Sequence, residues 1–475
     1  MNILAIDQGT SATKALLVGP GQHVLGTGEV PVRTQAAGNA IEVDPDELLS
    51  SVLAAGQAAL SAARAPADAV ALANQGETVL AWDRTTGQAL TRAISWQDRR
   101  SAAVCERLAS HAERLADITG LPLDPYFAAP KMTWLRENYT SSGVVTTTDT
   151  WLLARLGADF VTDAATASRT MLLDLDAIDW SAEACDVFGI DPGSLPAVAD
   201  CAGIAGETAA FGRSLPVAGL AVDQQAALLA ERCFDLGQAK CTYGTGAFLL
   251  ATTGERAVRS SAGLSASVAW RVPGATAYCL DGQVYTAGAA VSWLTGTGIL
   301  TDPGELDAIG STVPDGGGAV FVPALAGLGA PHWRPDARGA FLGLTLGVTR
   351  AHLIRAAIDG LAASVALLAR SVAQDLHARL TTLRVDGGLT RSAVLLQAQA
   401  DLLQVPVEVC RVPDATALGV AALARLGLES AADLADAVGP ADIVRVVEPR
   451  MGADEAAHRL AQFEAALNQV AGPDQ

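Results

Sequence analysis

The feature that most constrains this chain is a short polar turn between two apolar runs, which occurs near the start and again near the middle. Near the start, residues 7–14 separate two such runs, and near the middle Gly244-Thr245-Gly246 separates another two. Apolar runs on both sides of a short glycine-containing turn predict a strand, a tight turn and a second strand at each place. The recurrence predicts two halves built alike, each presenting its turn to a cleft between them.

Both turns have the composition of a phosphate-binding turn. Glycine lets the backbone come close to a ligand, and clustered N–H groups and hydroxyls can surround an anion. The first turn is not a Walker loop, which would lead from a strand into a helix and end in Gly-Lys-Ser/Thr. An ordinary polar hairpin remains the alternative for the first turn taken alone.

Two later junctions also have features of a binding site. An apolar run, residues 217–222, ends at Asp223 and Gln224, where a helix is predicted to start. An acid at the end of a buried strand is a common place for chemistry in α/β folds, although a helix-capping aspartate is an equally simple interpretation. Gly387 and Gly388 follow another predicted strand and would let a flat ligand lie against the backbone.

The length of the chain predicts its number of domains, and its net charge limits the kinds of ligand it can bind. A chain of 475 residues predicts two domains. Its net charge of −19 argues against a nucleic-acid or anionic-membrane surface. An anionic substrate would therefore need a local positive charge or a metal ion, and one of the few lysines, Lys14, lies in the first turn.

The cysteines and the apolar runs indicate in which cellular compartment the protein is expected. Seven scattered cysteines without a Cys-x-x-Cys pair predict reduced thiols rather than disulfides or a zinc site. The N-terminus lacks the features of a signal peptide, and no apolar run approaches the ~18 residues of a membrane span. We therefore expect a cytoplasmic protein that does not insert into a membrane.

Eight segments together resemble a known family. They are residues 7–11, 74–78, 96–100, 124–127, 223–225, 243–248, 339–359 and 386–388. In this order and at this spacing they resemble the FGGY carbohydrate kinases, most closely the glycerol kinases among them, over nearly the whole chain. The resemblance implies an α/β fold of two ribonuclease-H-like domains, of the actin and hexokinase type, flanking a catalytic cleft. It places the N-terminal domain, with the polyol side and the first phosphate turn, at residues 1–222 and the C-terminal, nucleotide-side domain at residues 223–475.

The resemblance also implies an activity, ATP-dependent phosphorylation of a terminal hydroxyl of a small polyol or sugar, with Asp223 as general base. ATP and Mg²⁺ are the implied cofactors, and the metal would be held by Asp7 and Asp223, mostly through water. The residues implied to hold the ATP phosphates are Thr10, Ser11, Lys14, Gly244 and Thr245, and those beside the nucleoside are Gly288, Gly387 and Gly388. The residues implied to bind the acceptor hydroxyls are Glu77, Tyr126, Asp223 and Gln224, with Trp96 and Phe248 covering the carbon chain. Core packing is the alternative role for Trp96 and Phe248. The expected binding partner is the small polyol or sugar substrate. A homodimer and a homotetramer are both possible oligomeric states.

The chain departs from the family pattern at several positions. Gly76 stands where glycerol kinases have arginine, and losing a charged hydrogen bond to substrate costs on the order of 1.5–3 kcal/mol. The space beside Gly76 could instead admit a four- or five-carbon polyol or ketose. Lys14 replaces an arginine that could donate two parallel hydrogen bonds, and Ser292 and Ser392 replace a glutamine and an asparagine on the nucleotide side.

A non-catalytic nucleotide or sugar sensor, or a filament-forming actin relative, is the alternative from another functional class.

Overall fold

The computed structural model describes residues 1–411, 414–428 and 431–472. Its first large sheet has six strands, in the order Glu207–Thr208, Leu215–Val222, Ala69–Asn74, Ile3–Gln8, Ala12–Val18 and Val24–Pro31. The first hairpin lies at its centre, with Asp7 opposite Lys14. Proline is tolerated at a sheet edge because it donates no ladder hydrogen bond, and the edge strand Val24–Pro31 ends at one.

The second large sheet has seven strands, in the order Ser265–Val272, Ala275–Val284, Ala247–Gly254, Gln238–Tyr243, Thr382–Asp386, Val407–Cys410 and Ile443–Val447. In both sheets the strand before the polar turn pairs antiparallel with the strand after it and parallel with a later strand on its other side. The predicted repeat of the strand–turn–strand pattern is therefore confirmed as a repeat of topology.

A five-stranded sheet covers one side of the first half, in the order Thr34–Ala37, Ala40–Val43, Ala93–Ile94, Val79–Trp82 and Val144–Thr147. Residues 74–78 connect the central strand Ala69–Asn74 to this sheet. Glu77 lies in that connection with a φ of 59°, the left-handed region that non-glycine residues adopt at a cost. Shorter two-stranded pairs join Val161–Asp163 to Ala197–Ala199, Leu173–Asp174 to Asp179–Trp180, and Val320–Val322 to Ala340–Leu342.

The helices pack on the faces of the sheets. The first is Pro45–Ala63, where the Asp44 side chain accepts hydrogen bonds from the N–H groups of Asp46 and Glu47 and proline occupies the first turn. The other α-helices are Ala102–Arg107, Ala112–Thr119, Ala128–Asn138, Thr148–Leu156, Ala164–Ser168, Ala182–Phe188, Asp223–Ala230, Gly288–Gly296, Glu305–Gly310, Arg350–Leu376, Ala393–Leu403, Ala415–Gly427, Leu434–Val438 and Ala453–Ala471.

One helix corrects an expectation from the sequence. Arg350–Leu376 is long and apolar enough to cross a membrane by length and composition, with a mean hydropathy of 1.5 over an 18-residue window. The expectation that no apolar run approaches this length was therefore wrong. Of that window, 72% is buried inside the protein, which is how the core helix of a globular domain behaves.

Two helices connect the halves. Asp223–Ala230 follows the first sheet and packs against Ala415–Gly427, which itself packs on the first sheet although it lies late in the chain. Gly419 makes this contact possible, because a Cβ there would overlap the backbone of Ala226. The domain division at residues 222 and 223 stays a prediction, and the helix Ala415–Gly427 lies on the first sheet although it falls in the second predicted domain.

Candidate active site

The two polar turns are small and accessible. In the first, Gly9 N–H donates to Ala12 O at 3.0 Å, and in the second Gly244 N–H donates to Gly246 O at 2.9 Å. Ser11, Gly244 and Thr245 are exposed. Both turns therefore close on themselves and leave hydroxyls and backbone facing outward, as a phosphate-binding turn requires.

The glycines on the predicted nucleotide side have different roles. A Cβ on Gly288 would lie 2.6 Å from the Gly244 carbonyl oxygen, and Gly387, with a φ of 90°, lies against the Tyr243 backbone. Both glycines therefore let other segments pack closely on the second turn. A Cβ on Gly388 would meet nothing within 4 Å among the described residues. Of these three glycines, Gly388 is therefore the one with open space for a ligand beside it.

Three aspartates converge near the first turn. Burial, followed by the nearby carboxylates of Asp223 and Asp414, raises the pKa of Asp7 to about 8, although Lys14 opposes this shift. Asp223 is the first residue of its helix, and its Oδ1 accepts the N–H of Gln224 at 2.7 Å. Burial also raises the pKa of Asp223, opposed mainly by Lys240. A raised pKa makes a carboxylate a stronger base.

This acidic group is suited to a cation that brings its own water ligands. Among the described residues there is no cluster of three or more His, Cys, Asp or Glu side chains that could hold a metal ion. Asp7 and Asp223 nevertheless repel each other when both are ionised, and a divalent cation would relieve that repulsion. Mg²⁺ commonly binds through one or two carboxylates, waters and phosphate oxygens, so these residues fit it.

Lys14 already has partners. Its ammonium forms an ion pair with Asp414 and lies 4.0 Å from Glu29 Oε2. A phosphate at the first turn would therefore share this ammonium with Asp414.

The predicted acceptor residues form an aromatic wall beside a carboxylate. Trp96 contacts Tyr126 and Phe248 edge-on, with ring centroids 5.5 and 6.2 Å apart. The indole Nε1 of Trp96 donates to Thr10 Oγ1 at 2.9 Å. This hydrogen bond joins the wall to the first phosphate turn, so the structure brings the two predicted halves of the site together.

Two lysines hold other parts of the site. Lys131 Nζ donates to three successive carbonyls, those of Pro125, Tyr126 and Phe127, and thereby fixes the loop that carries the Tyr126 ring. Lys240 Nζ donates to Gln224 Oε1 at 2.5 Å, which leaves the amide nitrogen of Gln224 for a ligand. Sequence reasoning assigned neither lysine a role.

Gly76 is less open than its sequence suggested. A Cβ there would lie 2.9 Å from Val222 Cγ2, closer than van der Waals contact, and would meet no other atom within 4 Å among the described residues. A Cβ at this position would therefore have free space around it except towards Val222, and a side chain there would have to displace that methyl group.

Ser292 and Ser392 are both occupied by local hydrogen bonds. The Ser292 hydroxyl donates to Gly288 O at 3.1 Å. Ser392 caps the helix Ala393–Leu403 and donates to Asp307. Neither serine therefore offers the nucleotide the free side-chain amide that the glutamine and asparagine of the family would offer.

The most important residue that sequence reasoning missed is Arg169. Its guanidinium donates to Glu77 Oε1 at 2.7 Å and to Asp281 Oδ1 at 2.6 Å. The only signal in the sequence is a charged residue in a segment that is otherwise uncharged, residues 164–173. Its partners lie 92 and 112 residues away, so no local pattern could identify them.

Comparison with known proteins gives matches over the whole chain. Residues 2–230 match the sequence model of the N-terminal domain of the FGGY family of carbohydrate kinases, and residues 239–428 match that of its C-terminal domain. The glycerol kinase of Alkalilimnicola ehrlichii is 41% identical over 492 aligned positions, covering 99% of this chain and 98% of that protein. The glycerol kinase of Thermus brockianus is 45% identical and covers 88% of each chain.

The structural comparison agrees. The crystal structure of Plasmodium falciparum glycerol kinase with ADP superposes with a TM-score of 0.92 at 29% identity, covering 100% of this chain and 99% of that one.

Proposed function

Since the chain belongs to the FGGY family of carbohydrate kinases, we propose that it transfers the γ-phosphoryl group of ATP to a terminal hydroxyl of a small polyol, with glycerol as the first candidate. Family membership confirms the resemblance and the two-domain α/β fold, and makes the protein an ATP-dependent kinase of a sugar or polyol. The choice of glycerol is supported by the relatives named above.

The observation that carries the proposal is the position of Asp223. Its carboxylate starts a helix that joins the two halves, lies near Asp7 on the first phosphate turn, and has a pKa raised by burial. A base in this position accepts the proton of the attacking hydroxyl as the bond to phosphorus forms. The Gln224 N–H holds one carboxylate oxygen and so leaves the other for the substrate.

The remaining site residues would position the two substrates and neutralise the charge of the phosphates. Thr10, Ser11, Gly244 and Thr245 would donate to the ATP phosphates, and Trp96 and Phe248 would exclude water from the carbon chain. Mg²⁺, held by Asp7 and Asp223 through water, would supply charge neutralisation for the phosphates. Gly388, where a Cβ would meet nothing within 4 Å among the described residues, would lie against the nucleoside.

The direct test is turnover by the purified protein with Mg-ATP over a panel of polyols and ketoses. We expect ADP release that depends on a polyol, with glycerol among the best acceptors, because the aromatic wall and Glu77 suit a short polyhydroxy chain. Coupled measurement of ADP and of the phosphorylated product checks it. Failure to phosphorylate any acceptor would leave the sensor or filament interpretation in its place.

A second candidate is a kinase of a four- or five-carbon polyol or ketose, which is favoured by the absence of a side chain at Gly76. Gly76→Arg should then lower KM for glycerol about tenfold, the value of one charged hydrogen bond, and raise it for the larger substrate. The measurement is the ratio of kcat/KM for glycerol and for xylitol or xylulose.

Gly76→Ala is the matched control, because it adds only the Cβ that approaches Val222. If alanine changes the ratio as much as arginine does, the effect comes from the displaced Val222 methyl group. An unchanged ratio in the arginine variant would contradict the specificity role of Gly76.

A further inference from the structure

Arg169 is the cation that links the proposed acceptor site to the second sheet. Arg169 is only 4% exposed, as is Glu77, and Asp281 lies on the strand Ala275–Val284 of the second sheet. Its guanidinium carbon lies 5.8 and 5.2 Å from the ring centroids of Tyr126 and Phe127. Arg169 therefore contacts two of the residues proposed to bind the acceptor, Glu77 and Tyr126.

The charge on Glu77 depends on this arginine. Burial raises the pKa of Glu77, and Arg169 is the strongest influence that lowers it. Without Arg169 a buried Glu77 would take up a proton, since an unpaired buried carboxylate is costly. It would then no longer accept a hydrogen bond with both oxygens.

One end of the guanidinium is available. Nε and Nη1 donate to Glu77 and Asp281, whereas Nη2 makes no hydrogen bond to any residue that the structure describes. Nη2 is also not among the fully buried side-chain atoms that lack a partner, so a ligand or water can reach it. A cationic donor in a nearly closed site requires an acceptor.

We propose that Arg169 is a substrate-binding and specificity residue, whose Nη2 donates to one hydroxyl of the acceptor while the Glu77 carboxylate that it holds accepts from the neighbouring hydroxyl. The inference rests on the proposed function and deepens it. The Arg169–Glu77 pair would recognise two adjacent hydroxyls and so select a vicinal diol. It would supply the positive charge that Gly76 lacks, from a different segment of the chain.

The test compares Arg169→Gln and Arg169→Lys with the wild type, using glycerol and propane-1,3-diol, which lacks the middle hydroxyl. Arg169→Gln should raise KM for glycerol about tenfold to a hundredfold with a smaller change in kcat. It should also reduce the preference for glycerol over the 1,3-diol. Its KM for glycerol should improve as the pH rises and Glu77 ionises, and this dependence should be steeper than in the wild type, where Arg169 lowers the pKa of Glu77. Arg169→Lys should keep the wild-type pH profile, because it retains the charge, but recover KM only in part.

Arg271→Gln is the matched control. Arg271 forms a similar pair with Asp200, 2.5 Å between Nε and Oδ1, from the strand Ser265–Val272, and contacts none of the acceptor residues. It should affect stability without changing the pH profile of KM or the diol preference. If Arg169→Gln behaves like this control, the proposal is wrong.

Calorimetric binding of glycerol separates this inference from the proposed function. If the wild type phosphorylates no polyol but binds glycerol more tightly than Arg169→Gln does, the kinase assignment fails and Arg169 keeps its binding role. Equal affinities, or no binding by the wild type, overturn the Arg169 proposal itself.

Discussion

Asp223→Asn is expected to reduce kcat by about 10²–10⁴-fold, the usual contribution of a positioned general base. Asparagine has the same size and can still accept the Gln224 N–H through its oxygen, so the local structure should persist. It cannot take up the hydroxyl proton. Affinities for ATP and for the polyol should therefore change little, and rapid-quench turnover together with calorimetric binding of each ligand would show both results.

Two outcomes would contradict this assignment. A kcat within about tenfold of the wild type would mean that another group accepts the proton. Loss of ligand binding together with turnover would mean that Asp223 holds the site together instead. Asp46→Asn, on the exposed start of the first helix, controls for the removal of a carboxylate elsewhere.

Asp7→Asn is expected to raise the Mg²⁺ concentration needed for half-maximal activity by at least about tenfold, since it removes one of two carboxylates proposed to place the metal. Wild-type Mg²⁺ affinity should rise with pH up to about 8, because the pKa of Asp7 is about 8 and its proton must leave first. The variant should lack this dependence. Magnesium titrations at several pH values would measure both effects.

The same group predicts how stability depends on pH in metal-free protein. The pKa of Asp7 is raised by folding to about 8, so the folded chain binds more protons than the unfolded chain between the two pKa values. Stability should therefore fall as the pH rises towards about 8, and Asp7→Asn should flatten that slope. Melting temperatures in EDTA would check it, and equal slopes for the two proteins would contradict a raised pKa.

The parts of this protein that follow from local chemistry could be predicted. Both polar turns and the strand-to-helix junction at Asp223 depend on residues within a few positions of each other, and each has the predicted form. Family motifs then placed the chain in its fold.

What could not be predicted depends on distant segments. The bonds from Arg169 to Glu77 and Asp281 join three separate parts of the chain, and the obstacle to a side chain at Gly76 is a methyl group of Val222. Lys14 was expected to meet a phosphate, and its pairing with Asp414 required the fold. Side-chain partners across a cleft are decided by tertiary packing, on which local propensity carries no information.

The two helices that cross at Gly419 and Ala226 also determine which part of the cleft would move least if one sheet rotated relative to the other. Asp223 starts one of these helices and Asp414 directly precedes the other, so both acids lie within about two turns of the crossing. If the sheets rotate about such a pivot, displacement grows with distance from it. The carboxylates of Asp223 and Asp414 would then move little, while segments farther from the crossing would move more.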